Sequence, residues 1–541
     1  MVRRSVLPAA ALAVTTWLTP PAFAQEVGTA PEPATAGTAQ TASELQNALT
    51  SYVTALPFDK KILRVEPDPA GHRITLDPAA YLAELSGASI KFAPISIVVS
   101  ERTDGSWNVF TQSPVEFSTD FELEGHKQHS EYKQDSLLFK GIYSPEIASF
   151  LSAASRTGTI SSESSDGLSS STAGIFATTM TMASSPAGTG LADIAFSQTY
   201  DAFAQSASVH IPDGSDEYPL AMSADMRAEE ISAKVDVKAA HTRAVLDLYA
   251  LLLKHLNELD ADANAALRGP LGAELKTKIR AILPLWTDLQ GEAHARDASI
   301  DIGYGRMQAK TLRQTMRASG VSTNASLDVD LALDGLTLDI PQLPAWSAGF
   351  IPDLVELGFA VSGADLATAS DILLREIQLG NDPALSPEAE EKILGVLAVD
   401  RLRSQLKPSR FRSRDLELSF SGDTSFAGGM PQSSMTITTP GLDKAIATLQ
   451  EAAKTDPSLN QAVGVLTMAK GMSKPAADGG LEWLVVAASD GSVTVNGAMM
   501  KGPDVPPALD DEQDLGIEDP AIEDPTFEEP DTEEPAVEEE L

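Results

Sequence analysis

Alternating apolar and polar positions dominate the chain between about residues 62 and 237, and they predict antiparallel β-strands there. The clearest case is 115–124, where Val115, Phe117, Phe121 and Leu123 alternate with acidic and hydroxyl residues. Further strands are predicted at 90–99, 107–110, 136–142, 173–182, 192–200, 206–211 and 220–237. Pro94 predicts an edge or a bulge within its strand. Such alternation implies that one face of the sheet is buried and the other is solvated.

Helical periodicity appears before this region and again after it. An apolar stripe from Leu45 to Leu56 predicts a helix that begins near Thr41–Ser43, with Thr41 and Glu44 as a capping box, and that Pro57 ends. The later helices are predicted at 241–259, 271–289 with an interruption at Pro284, 365–379, 387–406 and 443–453. Strands at 298–304, 321–340, 357–361, 415–421 and 434–438 lie between them.

A strand followed by a Gly-x-Asp helix start occurs twice, at Gly363-Ala364-Asp365 and at Gly441-Leu442-Asp443, and 235–241 is a looser third case. A closing hairpin is predicted at 481–496, around Asp490-Gly491. Together these patterns predict an α+β fold with a long, twisted, mostly antiparallel β-sheet and helices packed on one face. We expect a β-rich part at 43–237 and a mixed α/β part at 238–503 that continues the same sheet.

The N-terminus has the features of an export signal. Arg3 and Arg4 precede an uncharged, mostly apolar run from Ser5 to Leu18, and Ala22 and Ala24 occupy the two small-residue positions before the expected cleavage site. The run is shorter than the roughly 20 residues that span a bilayer. We expect a general secretory signal, with twin-arginine export as the alternative. Cleavage after Ala24 would give a periplasmic protein without a membrane anchor, beginning with a flexible leader at 25–42.

Acidic residues are concentrated at the C-terminus. The chain has a net charge of −38, and residues 504–541 contain 17 Asp and Glu but no Lys or Arg. From Glu518 onward, two acids and a proline recur every five residues. Proline spacing and like-charge repulsion predict a disordered tail. We interpret it as a solubilising segment, with docking to a basic protein partner as the sharper alternative and weak calcium binding as a poorer one.

Composition excludes several classes of chemistry. The chain has no cysteine, so neither disulfides nor thiolate chemistry are available to it. Its acidity argues against nucleic acid and anionic membrane surfaces as partners. No nucleophile elbow, phosphate-binding loop, dinucleotide fingerprint or metalloprotease motif is present. We therefore predict no catalytic, cofactor-binding or metal-binding residues, and no cofactor, although an enzyme is not excluded.

The candidate residues for chemistry all have simpler interpretations. His126 and His129 have a spacing that metal ligands can use, but they follow a strand and favour a polar turn. Ser130 and Lys133 match the S-x-x-K pattern by letter, without its partner motifs. Asp328, Asp330 and Asp334 precede Gly335, yet leucines and valine alternate with them, which predicts the solvated face of a strand. His241, His255 and His294 have no ligand partner at helical spacing.

Two segments carry a resemblance to known families. These are Thr439-Pro440-Gly441-Leu442-Asp443 and the ending Gly480-Leu481-Glu482-Trp483 with Asp490-Gly491-Ser492-Val493-Thr494-Val495-Asn496-Gly497. They resemble exported β-rich envelope proteins of unknown function from high-GC Gram-negative bacteria, and the closing hairpin is similar to YdgA-like and, more distantly, AsmA-like proteins. The resemblance implies a long, curved antiparallel sheet partly wrapped around helices, and it brings no catalytic residues.

Two functions follow as expectations. The first is a non-catalytic periplasmic scaffold or binding module of the cell envelope, with the acidic tail as an interaction arm. The alternative is a carrier that holds a lipid or another apolar ligand along a curved sheet. A hydrolase with an unrecognised carboxylate site is a third, weaker hypothesis. The first two differ in whether the apolar face of the sheet is open or filled by the protein's own helices.

Overall fold

The structure is a computed structural model. It describes residues 27–504 except 87–88, 124–125, 167–168, 212–219, 398–400, 428–429 and 478. The predicted cleavage residues Ala22 and Ala24 lie outside the described residues, and so does the acidic tail from residue 505 onward. The secondary structure below refers to the described part of the chain.

A single antiparallel sheet contains all the described strands, as the alternation predicts. In its first half these are β1 (Leu63–Asp68), β2 (Gly71–Leu76), β3 (Ser89–Phe92), β4 (Ile95–Glu101), β5 (Trp107–Leu123), β6 (His126–Ser144), β7 (Ser149–Thr157), β8 (Ile160–Ser165), β9 (Ser169–Gly188), β10 (Leu191–Ile211) and β11 (Leu220–Ala240). The second half contains β12 (Asp288–Asp301), β13 (Arg306–Ser319), β14 (Ala325–Asp334), β15 (Thr337–Asp339), β16 (Pro352–Ala364), β17 (Arg403–Ser413), β18 (Glu417–Ala427), β19 (Met430–Thr439), β20 (Lys474–Pro475), β21 (Leu481–Ala487), β22 (Val493–Val495) and β23 (Ala498–Lys501).

The strands follow one another as a meander, so each pairs with its neighbour in sequence along most of the sheet. Three strands of the meander are interrupted: β3 and β4 both pair with β5, β7 and β8 both lie between β6 and β9, and β14 and β15 both pair with β13. Antiparallel hairpins need only short connections, which explains how one sheet accommodates so long a chain.

Helices occupy the few long connections. They are α1 (Ala39–Val53), α2 (Leu56–Asp59), α3 (Ala79–Ser86), α4 (Thr242–Lys254), α5 (Leu256–Arg268), α6 (Pro270–Ile282), α7 (Leu366–Glu376), α8 (Pro387–Leu397), α9 (Asp443–Ala452) and α10 (Asn460–Met472), with short 3-10 turns at Ala345–Gly349 and Pro457–Leu459. The strand register places α4–α6 and α7–α8 at one end of the sheet and α9–α10 at the opposite end. None of the described helices is both long and apolar enough to cross a membrane.

Helix boundaries differ from the sequence-based prediction where capping or proline decides them. The first helix begins at Ala39 because Thr38 and Thr41 cap each other: the Thr41 N–H donates to Thr38 Oγ1 at 3.2 Å, and the Thr38 N–H donates to Thr41 Oγ1 at 3.0 Å. The predicted helix at 271–289 ends at Ile282, just before Pro284, and its last residues belong to β12. The predicted helix at 387–406 is described as helical from Pro387 to Leu397, and its last predicted residues, from Arg403 onward, belong to β17.

A line of irregular residues, which we call the crease, crosses the sheet. It starts at Pro94, between β3 and β4, and continues through the register shift at Pro114 and the break at Gly158. It then runs through five mutually opposed residues, four on β10 to β13 and one between β14 and β15: Ala202, Glu229, Asp297, Lys310 and Gly335. Three of the five have left-handed backbone, with φ of 58° at Ala202, 47° at Asp297 and 64° at Gly335. The strand predicted at 90–99 is therefore interrupted at Pro94, and the irregularity continues across the sheet.

Each strand that crosses the crease has one residue there that interrupts the regular alternation of side chains between the two sides of the sheet. Beyond this residue, the side chains on a given side change from odd-numbered to even-numbered positions, or the reverse. On β12 the apolar positions are Leu289, Ala293 and Ala295 before Asp297, and Ala298 and Ile300 after it. Because neighbouring strands carry such a residue at the same level, their pairing register is the same on both sides of the crease. The same side of the sheet thus stays apolar above and below the crease.

Candidate functional site

One row of directly paired residues crosses the sheet on its apolar side. We call it the apolar row. From β4 to β22 its members are Val99, Val109, Gly141, Ala153, Met182, Phe196, Val235, Gly291, Met316, Val329, Phe359, Leu406, Gly422, Met435, Val485 and Val495. None of these side chains is charged or able to form a hydrogen bond, apart from the weakly accepting sulfur of methionine. At about 4.8 Å per strand, the row is roughly 70 Å long.

The neighbouring row on the opposite side of the sheet is mostly polar. From β10 to β22 it consists of Ala195, Asp236, Gln290, Arg317, Asp328, Ala360, Gln405, Asp423, Ser434, Val486 and Thr494. On β9 to β15, every Asp, Glu, Lys and Arg lies on this polar side or in the crease. The side of each residue follows from its pairing partners and from the change in alternation at the crease. The two sides of the sheet therefore differ sharply in the chemistry that they offer.

The apolar row is covered in some places and open in others. Val99 is 6% exposed and Val235 is 2% exposed, so other parts of the chain bury these two members. Phe359 is 44% exposed. On the neighbouring strand β14, Leu327 lies on the same side, two residues before the partner of Phe359, and is 39% exposed. Ile300 and Met307, also on the apolar side, are 37% and 40% exposed. Exposed apolar side chains thus occur at two places on this side, at Leu327 and Phe359 on β14 and β16 and at Ile300 and Met307 near the other end of β12 and β13.

Hydrogen bonds connect helices to the sheet and to one another. The Trp483 indole on β21 donates from Nε1 to the Ala469 carbonyl of α10 at 2.7 Å. At the other end of the sheet, the Thr242 hydroxyl of α4 donates to the Ile147 carbonyl, and Ile147 is fully buried. Arg243 donates to the Tyr52 hydroxyl of α1 at 3.1 Å and lies against the Tyr52 ring. These contacts tie the helices to the sheet at its two ends.

Ion pairs between strands stabilise the polar side and use the carboxylates that the sequence offers as candidate ligands. Lys407 Nζ lies 2.9 Å from Asp328 Oδ1 and 2.6 Å from Asp330 Oδ1. Its hydrogen bonds to Asp330 and then Asp328 raise the pKa of Lys407. The prediction that these aspartates form the solvated face of a strand is confirmed. They bind a lysine of β17 in the structure, which gives them a structural role.

The histidines are engaged in similar pairs. On β12, His294 Nε2 lies 2.7 Å from Glu292 Oε1, and this hydrogen bond lowers the pKa of Glu292. His129 Nδ1 lies 2.6 Å from Asp120 Oδ1 across the β5–β6 pair, so the predicted polar turn is instead the start of a strand. Ser130 and Lys133 lie on β6 as well. Among the described residues, no group of three or more His, Asp or Glu side chains is placed to hold a metal ion.

The segment after the expected cleavage site lies against β4 to β7, on the side opposite the apolar row. Glu32 Oε1 pairs with Lys140 Nζ at 2.6 Å, a contact that lowers the pKa of Glu32. Further along, the Gly37 N–H donates to the Asp68 carbonyl at 3.0 Å. A cavity of about 210 Å³ separates this segment from Val98, Phe110 and Ile142. Residues 27–38, which the sequence assigns to a leader, thus have defined contacts with the sheet.

A buried carboxylate anchors α9 to the sheet. The Asp415 side chain is 3% exposed and accepts hydrogen bonds from Arg414 Nε, Lys444 Nζ and Thr448 Oγ1, each at 3.1 Å. The bond from Arg414, followed by those from Lys444 and Thr448, lowers the pKa of Asp415 to about 2. A Cβ atom at Gly349 would overlap the carboxylate, so glycine is needed there for close approach. No sequence motif marks this site, because its residues come from three separate segments.

We expect Asp415→Asn to lower stability by about 1–2 kcal/mol near neutral pH, because the depressed pKa means that the folded state favours the ionised carboxyl. This contribution is present above the ordinary aspartate pKa of 3.8 and is lost as the pH falls towards about 2. Urea unfolding midpoints between pH 7 and pH 2.5 measure it, with Asp339→Asn at an exposed carboxylate as the control. Equal pH dependence in the wild type and Asp415→Asn would contradict the prediction.

Comparison with known proteins adds no assignment: no family model, curated protein or solved structure matches this chain. The apolar row is therefore the main candidate for a functional site, on its own geometry.

Proposed function

We propose that the protein is a non-catalytic periplasmic carrier that holds a long-chain lipid along the apolar row of its sheet. The observation that supports this function best is the row itself: sixteen directly paired residues without one charged side chain. The sequence alone favours a scaffold over a carrier. The accessible stretch around Leu327 and Phe359 favours the carrier instead, because a face filled by the protein's own helices has no room for a ligand.

A lipid fits this face better than a protein partner does. Protein interfaces typically contain about one hydrogen bond per 100–200 Å² of contact, and they combine an apolar centre with a polar rim. The apolar row offers no such bonds from its side chains, and the backbone groups within the sheet are engaged in strand pairing. A peptide therefore cannot add to the face as an extra strand. An alkyl chain needs only apolar contact, worth about 25 cal/mol per Å² removed from water.

We further propose that the helices pack on the apolar side, where they close the two ends of the sheet and leave its middle open. The Trp483 bond to α10 and the burial of Val235 near α4 support this arrangement. Export by the signal ending at Ala24 would place the carrier between two membranes, where a lipid needs a protein to cross water. An apolar row of roughly 70 Å exceeds the length of one extended acyl chain, so several chains can bind along it.

The test is to express the full chain with its leader in a Gram-negative host and purify it from the periplasmic extract without detergent. Organic extraction and mass spectrometry should then find co-purified lipid, and N-terminal sequencing should begin at Gln25. Lipid should be present at about one molecule or more per protein. An empty protein that also fails to bind added lipid would overturn the proposed function, and protein retained in the cytoplasm would overturn the location.

A further inference from the structure

The cavity of about 210 Å³ beneath the N-terminal segment lies on the side of the sheet opposite the apolar row, so it is separate from the proposed lipid face. Two directly paired rows of side chains on β4 to β7 form its floor: Val98, Phe110, Lys140 and Ala154, and beside them Ser100, Asn108, Ile142 and Ser152. Residues 27–32 cover part of this floor. The cavity is larger than an engineered apolar cavity of about 150 Å³ that binds benzene, so it has room for a small ring with a short substituent.

Apolar side chains make up much of the cavity wall. On the floor, Val98, Phe110 and Ala154 are 7%, 9% and 7% exposed. Val27 and Pro31 line the cavity from the N-terminal segment. Small-molecule sites typically combine such apolar walls with a few polar groups that fix the orientation of the ligand. The wall therefore favours a ligand with an apolar body.

Donor groups on neighbouring strands line the same cavity. Lys140 Nζ contacts Glu32 Oε1 at 2.6 Å, and because an ammonium has three donors it can bind a second acceptor. Arg102 donates from Nη1 to Asn108 Oδ1 at 3.2 Å, and Asn108 donates from Nδ2 to Ser100 Oγ at 3.2 Å. Ser100 is 5% exposed, and a hydroxyl that accepts this bond can still donate its own proton. The side chains of Lys140 and Arg102 are 31% and 38% exposed, so a ligand can reach them from solvent.

The charges at the cavity favour an anion. Among the residues that line it, Lys140 and Arg102 are cations and Glu32 is an acid. The hydrogen bond and the charge of Lys140, and then the charge of Arg102, lower the pKa of Glu32, so both cations stabilise a carboxylate at this position. Arg102 Nε also lies 3.7 Å from Asp104 Oδ1, a residue outside the cavity lining. A ligand carboxylate that accepts from Lys140 and Arg102 forms charge-assisted hydrogen bonds, which are stronger than those between neutral groups.

We propose that this cavity binds a small carboxylate with an apolar body, such as an aromatic or branched acid. The carboxylate accepts from Lys140 and Arg102, with Ser100 as a further donor, and the apolar body lies on Val98 and Phe110. Because the site and the apolar row are on opposite sides of the sheet, the site is independent of the proposed function.

The pair of Glu32 and Lys140 provides a test that separates binding from folding. The Glu32 carboxylate occupies one donor of Lys140 and repels a second anion, so Glu32→Gln should bind the ligand about threefold or more tightly than the wild type. Lys140→Gln breaks the same 2.6 Å contact but removes the cation, so it should weaken binding about tenfold. A purely structural role of the pair predicts equal losses in the two variants.

Three probes with the same apolar body test the ligand class by calorimetric titration of the full chain at neutral pH: 3-phenylpropionate, 3-phenylpropan-1-ol and 3-phenylpropylamine. The wild type should bind the carboxylate about tenfold or more tightly than the alcohol, as expected for a charge-assisted hydrogen bond. It should bind the amine no more tightly than the alcohol. Arg102→Gln, like Lys140→Gln, should weaken binding of the carboxylate about tenfold and leave binding of the alcohol unchanged.

Lys133→Gln is the matched control, because Lys133 lies on β6 as Lys140 does and pairs with Glu131 at 2.8 Å outside the cavity. It should change no affinity. Ala154→Leu fills the floor of the cavity and should remove binding of all three probes, with its melting temperature measured alongside. The variants at the partly exposed Lys140 and Glu32 keep the test decisive if Ala154→Leu fails to fold.

Three results would overturn the site. They are equal binding of the carboxylate and the alcohol by the wild type, no binding of 3-phenylpropionate, and losses of equal size in Glu32→Gln and Lys140→Gln. Each of them leaves the carrier function standing, because that function is judged by the lipid that co-purifies with the protein.

Discussion

Replacing Leu327 and Phe359 together by lysine is expected to weaken lipid binding ten- to a hundredfold. The two side chains lie on β14 and β16, one pairing step apart on the apolar side, and they are 39% and 44% exposed. A bound alkyl chain would cover them, and complete burial of one large apolar side chain is worth about 1.5–3 kcal/mol. Lysine loses this contribution and adds a charge that the chain would have to desolvate. Every 1.4 kcal/mol corresponds to a tenfold change in Kd.

The structure offers a matched control for this pair. Ser326 and Ala360 are the sequence neighbours of the two residues and lie on the polar side, where Ala360 pairs with Asp328. Ser326→Lys and Ala360→Lys add the same two charges to the same strands, and they should leave binding within about twofold of the wild type. Because all four positions are at least partly exposed, the fold should tolerate both pairs. Titration with octadecenol measures the difference, and equal losses in the two variants would argue against binding on the apolar side.

The two-sided character of the strands is accessible from the sequence because it depends only on neighbouring residues. Leu327, Val329, Leu331 and Leu333 alternate with three aspartates and an alanine, and the structure places the two sets on opposite sides of β14. The sequence does not predict that Val329 pairs with Met316 and Phe359. Which residues meet across strands depends on turn lengths and bulges along the whole meander, and no local pattern encodes the complete row.

The crease accounts for the main errors in the predicted strands. The sequence predicts separate strands at 192–200 and 206–211, because the apolar positions move from even to odd numbers near Ala202. In the structure, β10 runs unbroken from Leu191 to Ile211, and the shift marks a left-handed residue within it. The helix α10 was missed for another reason: Gly464 and Gly471 weaken its helical signal, and contacts such as the Trp483 bond to Ala469 support it.

Substitutions at the crease should therefore reverse the usual preferences of a β-strand. Ala202 and Asp297 have φ of 58° and 47°, a region in which side chains, and β-branched ones above all, are strained. We expect Ala202→Val and Asp297→Val to destabilise the protein by about 1–2 kcal/mol each. Ala202→Gly and Asp297→Gly should stabilise it by up to about 1 kcal/mol each, because glycine adopts positive φ without a steric penalty. Shifts of the urea unfolding midpoint measure both effects.

Ala195 provides a control of opposite sign on the same strand. It pairs regularly with Asp236 and Ala183, so its backbone belongs to the ordinary sheet. Ala195→Val should be neutral or mildly stabilising, since β-branched side chains suit strands, and Ala195→Gly should cost about 0.5–1 kcal/mol. Should valine and glycine have the same order of stability at 202 as at 195, the crease would not contain a left-handed residue there. The side chains beyond it, Phe203 and Ala207, would then lie on the polar side, and the apolar side would end at Tyr200.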